Sequence, residues 1–145
     1  MAQEIDLQQA TTIIQNAIAK GHALGLAPLT VAVLDAGGHL KALSREDKAT
    51  FLRPQIAFGK AWSSLALGMA SRTLFSIGEQ RPMFMNSLIN LSEQKMIPVP
   101  GGVLVKDSEG NTLGAVGITG DTSDNDEACA VAGIESCGLV ADCGN

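Results

Sequence analysis

Tyrosine is absent from the 145-residue chain, tryptophan occurs once and phenylalanine four times. With aromatics at 3%, the core has to be aliphatic, and no stacking platform for single-stranded nucleic acid is available. Cations are scarce as well. Ten Lys and Arg stand against 15 Asp and Glu, for a formal charge of −5. They do not cluster, so the footprint of a duplex binder is missing and no nucleic-acid partner is expected. No apolar run reaches about 18 residues, so no membrane span is expected. Residues 1–6 are polar and acidic, without a basic region leading into an apolar one. No signal peptide is expected, and the location is read as cytoplasmic. The three cysteines, Cys129, Cys137 and Cys143, include no Cys-x-x-Cys, and their odd number reads as reduced thiols. His22 and His39 are the only histidines and match no zinc pattern, so no metal site is expected. Neither Gly-x-Ser-x-Gly nor a phosphate-binding glycine loop occurs.

What is present suits one domain over residues 1–145, with 46% hydrophobic residues and 16 glycines. Apolar residues at Leu7, Ala10, Ile13, Ile14, Ala17 and Ile18 have helical spacing, which predicts a helix over Leu7–Lys20. Leu29 to Asp35 reads as a strand apolar on both faces, hence covered on both sides. Asp35-Ala36-Gly37-Gly38 is a tight turn returning a second strand, His39 to Arg45. Pro54 opens a helix through Ala70. Its many small residues predict close approach to a sheet or to a second copy. Ser71 to Gln80 reads as a connection with at most one helical turn, and Pro82 opens another helix. Pro98 to Gly102 launches the strand Val103–Lys106. The turn 107–111 returns the strand Thr112–Thr119, and a last helix covers about Asp124 to Leu139. Asp35-x-x-Gly38 and Asp107-x-x-Gly110 echo one another. The order α-ββ-α(α)-ββ-α describes an α+β chain, with four to five antiparallel strands in one sheet flanked by helices.

Chemistry concentrates at Gly120-Asp121-Thr122-Ser123-Asp124-Asn125-Asp126-Glu127. These carboxylates could hold a cation or move protons, although the EF-hand spacing fails. Equally, Asp124 with Glu127 reads as a capping box opening the last helix. Pro100-Gly101-Gly102 could present backbone N–H groups to an anion, or simply turn the chain. Arg45, Arg53 and Lys60 could bind a carboxylate, or pair with Asp35, Glu46 or Asp47. Lys60 sits among small, buried-looking neighbours, and a buried lysine is paired or functional. In a hairpin the start of one strand lies beside the end of the other, so Gly101 and Gly120 are expected to be neighbours in a polar pocket. There Lys60, Asp124, Asp126 and Glu127 would be catalytic. Asp35, Arg45, Arg53, Pro100, Gly101, Gly102, Gly120 and Asp121 would bind substrate.

In order and spacing, Asp35-x-Gly37-Gly38, Arg45-Glu46-Asp47, Ile56-Ala57-x-x-Lys60-Ala61, Pro100-Gly101-Gly102-Val103, Gly114-Ala115-Val116-Gly117-Ile118 and Asp124-x-Asp126-Glu127 form a combined pattern. It resembles the GlcG/HbpS-like family, the haem-degrading or DUF336 domain, and is similar to the C-terminal domain of PduO-type proteins. The resemblance covers about residues 7–139. It implies a profilin-like fold, homo-oligomers (dimers, tetramers or octamers) and a haem cofactor, for which His22 is the first candidate axial ligand. Three functions remain open: a haem or other small-molecule binder, a catabolic enzyme moving a proton on a small carboxylate or carbonyl compound, and an accessory structural subunit.

Overall fold

A computed structural model describes residues 3–144. Helix α1 (Leu7–Ala23) begins with a reciprocal cap. The Asp6 carboxylate accepts from the Gln9 backbone N–H, and the Gln9 side chain accepts from that of Asp6. Its apolar stripe, Ala10, Ile13, Ile14 and Ala17, is buried. Two hairpins follow the same rule. Strands β1 (Thr30–Asp35) and β2 (Leu40–Arg45) flank one turn; β3 (Gly102–Lys106) and β4 (Thr112–Thr119) flank the other. In the first, Asp35 Oδ1 accepts from the N–H groups of Gly37 and His39. In the second, Asp107 Oδ1 accepts from those of Glu109 and Asn111. Gly38 and Gly110 take φ of 85° and 86°, which a side chain would strain. The sequence echo is therefore one turn built twice.

With a short last strand, β5 (Val140–Asp142), the strands form a single antiparallel sheet in the order β2-β1-β4-β3-β5. Strand β5 begins just beyond the expected end of the last helix. Helix α5 (Ser123–Glu135) stops earlier than Leu139, and Gly138, at φ 74°, helps turn the chain back along β3. Between the hairpins run α2 (Arg53–Leu67), α3 (Ser71–Gln80) and α4 (Pro82–Leu91). The 71–80 segment is thus a full helix, docked by the buried Leu74 against Met85 and Met96.

Alternation sorts the sheet into two faces. Val31, Val33, Val103, Val105, Val116 and Ile118 pack against α1 and α5. Ala32, Leu34, Leu104 and Ala115 pack against Ala57 and Ala61 of α2. A Cβ on Gly117 would lie 2.0 Å from the Ala57 carbonyl oxygen, and one on Gly102 would lie 2.3 Å from that of Lys60. Those glycines let α2 lie almost on the strands. The small-residue face of α2 is therefore used against this chain's own sheet, and it no longer argues for self-association.

Candidate functional site

The beginning of β1, the beginning of β3 and the end of β4 share one end of the sheet. Lys60 reaches this end from α2 and is 2% exposed. Its Nζ donates to the Ile118 carbonyl at 2.8 Å and to Asp126 Oδ2 at 3.3 Å. Asp126, 1% exposed, also accepts from the Asp121 backbone N–H through Oδ1 at 2.9 Å. Burial pushes the Lys60 ammonium down and the Asp126 carboxyl up from their usual ranges, while their mutual attraction opposes both shifts. The pair ties α2 to the strand–helix corner between β4 and α5.

A second ion cluster lies outside it. Arg72, on α3, donates through Nε to both Glu127 oxygens, at 3.2 and 3.0 Å, and through Nη2 to Asp124. Hydrogen bonds to these two carboxylates push the guanidinium pKa up. Arg72 and Asp124 line a 530 Å³ cleft with Phe75, Pro100, Thr122 and Ser123. Lys60, Asp126 and Glu127 do not line it.

The acidic corner is not capped by Asp124. Thr122 is the cap, its hydroxyl accepting from the Asn125 N–H at 3.2 Å. Asp124 and Asp126 follow inside the helix, and Glu127 turns to Arg72 rather than back to a cap. Asp121 accepts from the Ala27 N–H at 3.0 Å and from the Asn125 side chain at 2.7 Å. The Asn125 bond, then the backbone bonds, hold its carboxyl below the usual range.

The Pro100 turn does less for an anion than its sequence implies. The Gly102 N–H is already donated to Ser71 Oγ at 2.8 Å. Gly101, at φ 127°, leaves room for Lys60: a Cβ there would sit 2.8 Å from Nζ. Gly101 does lie at the end of the sheet expected, bonded through its carbonyl to the Ile118 N–H. Gly120 lies two residues beyond Ile118 in sequence, where a Cβ would strike the Pro28 carbonyl at 2.2 Å.

The remaining candidates divide. Arg53 donates to Thr119 Oγ1 at 2.8 Å, and Arg45 donates to the Ala49 carbonyl; neither forms an ion pair with a carboxylate among the described residues. Asp35 is not brought to them. It pairs with Gly114 at the opposite end of β4 and serves its own turn. There burial works against the charge, and the N–H groups of His39 and Gly37 outweigh it, holding the carboxyl low.

His22, in the last turn of α1, is exposed. Its Nε2 meets Glu46 Oε2 at 2.6 Å, and Glu46 is itself fixed by the Leu29 N–H at 2.9 Å. The pair borders a 420 Å³ cavity lined also by Ile18, Leu26, Pro28 and Arg45. A larger apolar groove of 530 Å³ runs between β2 and the start of α2, lined by Leu40, Leu43, Leu52, Ile56, Phe58 and Ile97 among others. It contains no histidine. Among the described residues no three His, Cys, Asp or Glu side chains gather into a metal site, and no helix is long and apolar enough to cross a membrane.

Sequence reasoning missed Arg72, Ser71, Glu46 as the support of His22, and Thr30. Arg72 and Ser71 lay in the segment read as a connection. Glu46 stood beside Arg45 in the recognised pattern, so its place was visible and its role was not.

No curated protein matches the chain. Solved structures do. A PduOC–haem complex is 21% identical, with 94% of this chain and 96% of that one covered, at TM-score 0.84. The ORFY protein of Klebsiella pneumoniae is 26% identical, with 93% and 91% covered, at TM-score 0.85. A Streptomyces reticuli HbpS double mutant is 23% identical, with 94% and 88% covered, at TM-score 0.81. The family model for haem degrading proteins of the HbpS-like type matches residues 5–135, nearly the whole described fold, and the chain belongs to that HbpS-like family.

Proposed function

We propose that the protein binds a small molecule, a haem or a related tetrapyrrole, with His22 as the iron ligand. The observation that carries this reading is the Glu46-backed imidazole on the rim of a cavity that Ile18, Leu26 and Pro28 line on one side and Ser44, Arg45 and Asp47 on the other. Metal-ligating histidines commonly donate their other ring N–H to a carboxylate, which fixes the ring and raises its basicity. With Nε2 turned to Glu46, the Nδ1 lone pair is the one left for a ligand. Ile18, Leu26 and Pro28 supply apolar contact beside it. A bound haem would contribute redox and oxygen chemistry at its iron. The chain's own residues orient the imidazole and screen one flank from water. The PduOC–haem complex and the HbpS structure, alike in fold, support this reading.

Titration with haem tests it. A saturable Soret band shift is expected, abolished or strongly weakened in His22→Ala and partly weakened in Glu46→Gln. A shift unchanged in His22→Ala removes the assignment. If Ile56→Glu, in the apolar groove, removes the shift instead, the ligand belongs there. Homo-oligomerisation and a cytoplasmic location belong to the same proposal; light scattering at several dilutions checks the first.

Proton-transfer catalysis on a small carboxylate or carbonyl compound is the second reading. It is favoured by the open cleft where the exposed Asp124 meets the half-buried Arg72 beside the start of α5. Under it, Asp124→Asn lowers turnover, whereas Asp126, sealed against Lys60, acts only through the fold.

A further inference from the structure

Thr30 is fully buried, and its hydroxyl is the one buried side-chain polar atom among the described residues with no hydrogen-bond partner. Leaving such a group without a partner costs the fold stability, so an unexplained one calls for a function. Its position is informative. Thr30 is paired with Thr119 on one side and with Arg45 on the other. Directly paired residues project to the same face of a sheet, so the three form a row across β2, β1 and β4. That face is the α2 face, because Thr30 shares its side of β1 with Ala32 and Leu34. At the start of α2, Arg53 closes over the row, its Nη1 on Thr119 Oγ1 at 2.8 Å.

The row thus brings together two guanidinium groups, a bonded threonine hydroxyl and an unsatisfied one. Arg45 gives one nitrogen to the Ala49 carbonyl and Arg53 one to Thr119, which leaves most of the N–H groups of each guanidinium undonated in the observed bonds. Of the three acids nearest in sequence, Glu46 is engaged by His22 and the Leu29 N–H and Asp121 by the Ala27 N–H and Asn125, while Asp47 is exposed and forms no ion pair with either guanidinium. Asp126 is held by Lys60. In a chain of net charge −5, this is a local excess of positive charge facing an acceptor that the protein itself does not provide.

We propose that Arg53, Thr30 and Thr119 form the floor of an anion site for the carboxylate of a small organic acid, with Arg45 at its exposed rim; Thr30 is covered in the free protein, so the Arg53 guanidinium has to swing from Thr119 onto the ligand to admit it. A planar carboxylate matches the guanidinium fork, and one of its oxygens can accept a hydrogen bond from the Thr30 hydroxyl. The floor of the site lies on the opposite face of the sheet from the His22 cavity: Ser44, which lines that cavity, pairs with Val31, one residue along from Thr30 and on the other face. Arg45 borders both, so Arg53, Thr30 and Thr119 are the residues whose binding does not depend on haem.

Sodium acetate is the probe, followed by amide and arginine Nε NMR shifts at constant ionic strength, with sodium chloride as the control salt. The expected result is a saturable response at Thr30, Thr119 and Arg53. Arg53→Gln should weaken acetate roughly tenfold or more, because a charge-assisted bond is lost. Arg53→Lys, which keeps the charge without the fork, should fall between. Thr30→Val keeps the shape and removes the hydroxyl. It should raise the melting temperature of the free protein and still weaken acetate. His22→Ala should bind acetate as the wild type does, so loss of the haem reading leaves this one standing. A linear response equal to that of chloride overturns the proposal. So does a Thr30→Val protein that is more stable and binds acetate unchanged, which would make the buried hydroxyl a mere packing defect.

Discussion

The two faces of the sheet are built on opposite principles. Toward α1 and α5 the contact is branched aliphatic, Val31, Val33, Val116 and Ile118 against Ile13, Ile14 and Ile134. Its stability comes from apolar area removed from water, roughly 25 cal/mol per Å². Toward α2 the side chains are small, and the helix comes close enough for its carbonyls to touch where strand Cβ atoms would be. That closeness is what delivers Lys60, Ser63 and Ser64 into the interior, all at or below 2% exposure. The first face can lose a methylene and settle; the second holds charges and has little slack. Of the eight buried polar residues among those described, all but Glu127 lie on or beside the α2 side or at its sheet end, so chemistry and tight packing coincide there.

The most severe way to break the α2 side is to remove half of its buried pair. Lys60→Met strands Asp126, and a loss of about 3–5 kcal/mol is expected by chemical denaturation. The double variant Lys60→Met/Asp126→Asn should recover much of it. If the single variant costs under about 1 kcal/mol, the pair is not what fastens α2 to the α5 corner. Next comes Gly117→Ala. Its Cβ meets backbone rather than a flexible side chain, so about 2–3 kcal/mol is expected. The opposite face gives the contrast: Ile134→Val should cost only about 1 kcal/mol. Reversal of that order in melting experiments would end the distinction between the faces.

The smallest effect is in pH. The folded Asp126 pKa lies above its ordinary 3.8, so the unfolded chain releases that proton first. The resulting penalty is absent below 3.8, grows as pH rises, and is complete above the folded pKa. The Lys60 pKa lies below its ordinary 10.5, so its own penalty is complete below the folded value and fades as pH rises toward 10.5. Stability of the wild type relative to the double variant should therefore decline from acid toward neutral pH and recover in alkali. A flat difference would mean that burial has not displaced either group.

Much of this architecture was readable in advance because it is local. The α1 stripe, the Asp-x-x-Gly turns and the small face of α2 each follow from spacing within a few residues. Helix α3 was hidden because Gly78 and a weak start, without a side-chain cap, disguise it. The α5 cap moved from Asp124 to Thr122 because Ser-Asp-Asn-Asp offers several capping side chains in succession. The candidate site was legible only where the hairpin brought its ends together: Gly101 falls beside Ile118, as antiparallel pairing demands. Asp35 was misplaced because no sequence rule says which end of a sheet a turn occupies once β1 has inserted between β2 and β4. Arg72 could not be found, since its bonds to Asp124 and Glu127 span more than fifty positions.

Cys129 carries a consequence of the aliphatic face. Its thiol is enclosed among α1, α5 and the sheet, and burial pushes its pKa up to about 11. A thiol reacts as the thiolate, so near neutral pH the native state keeps this sulfur silent. Any alkylation at Cys129 has to wait for α5 to lift away, and the rate of that reaction is a clock for opening of the layer. The chain thus contains its own reporter of how often the stiff, apolar side comes apart, with no label introduced.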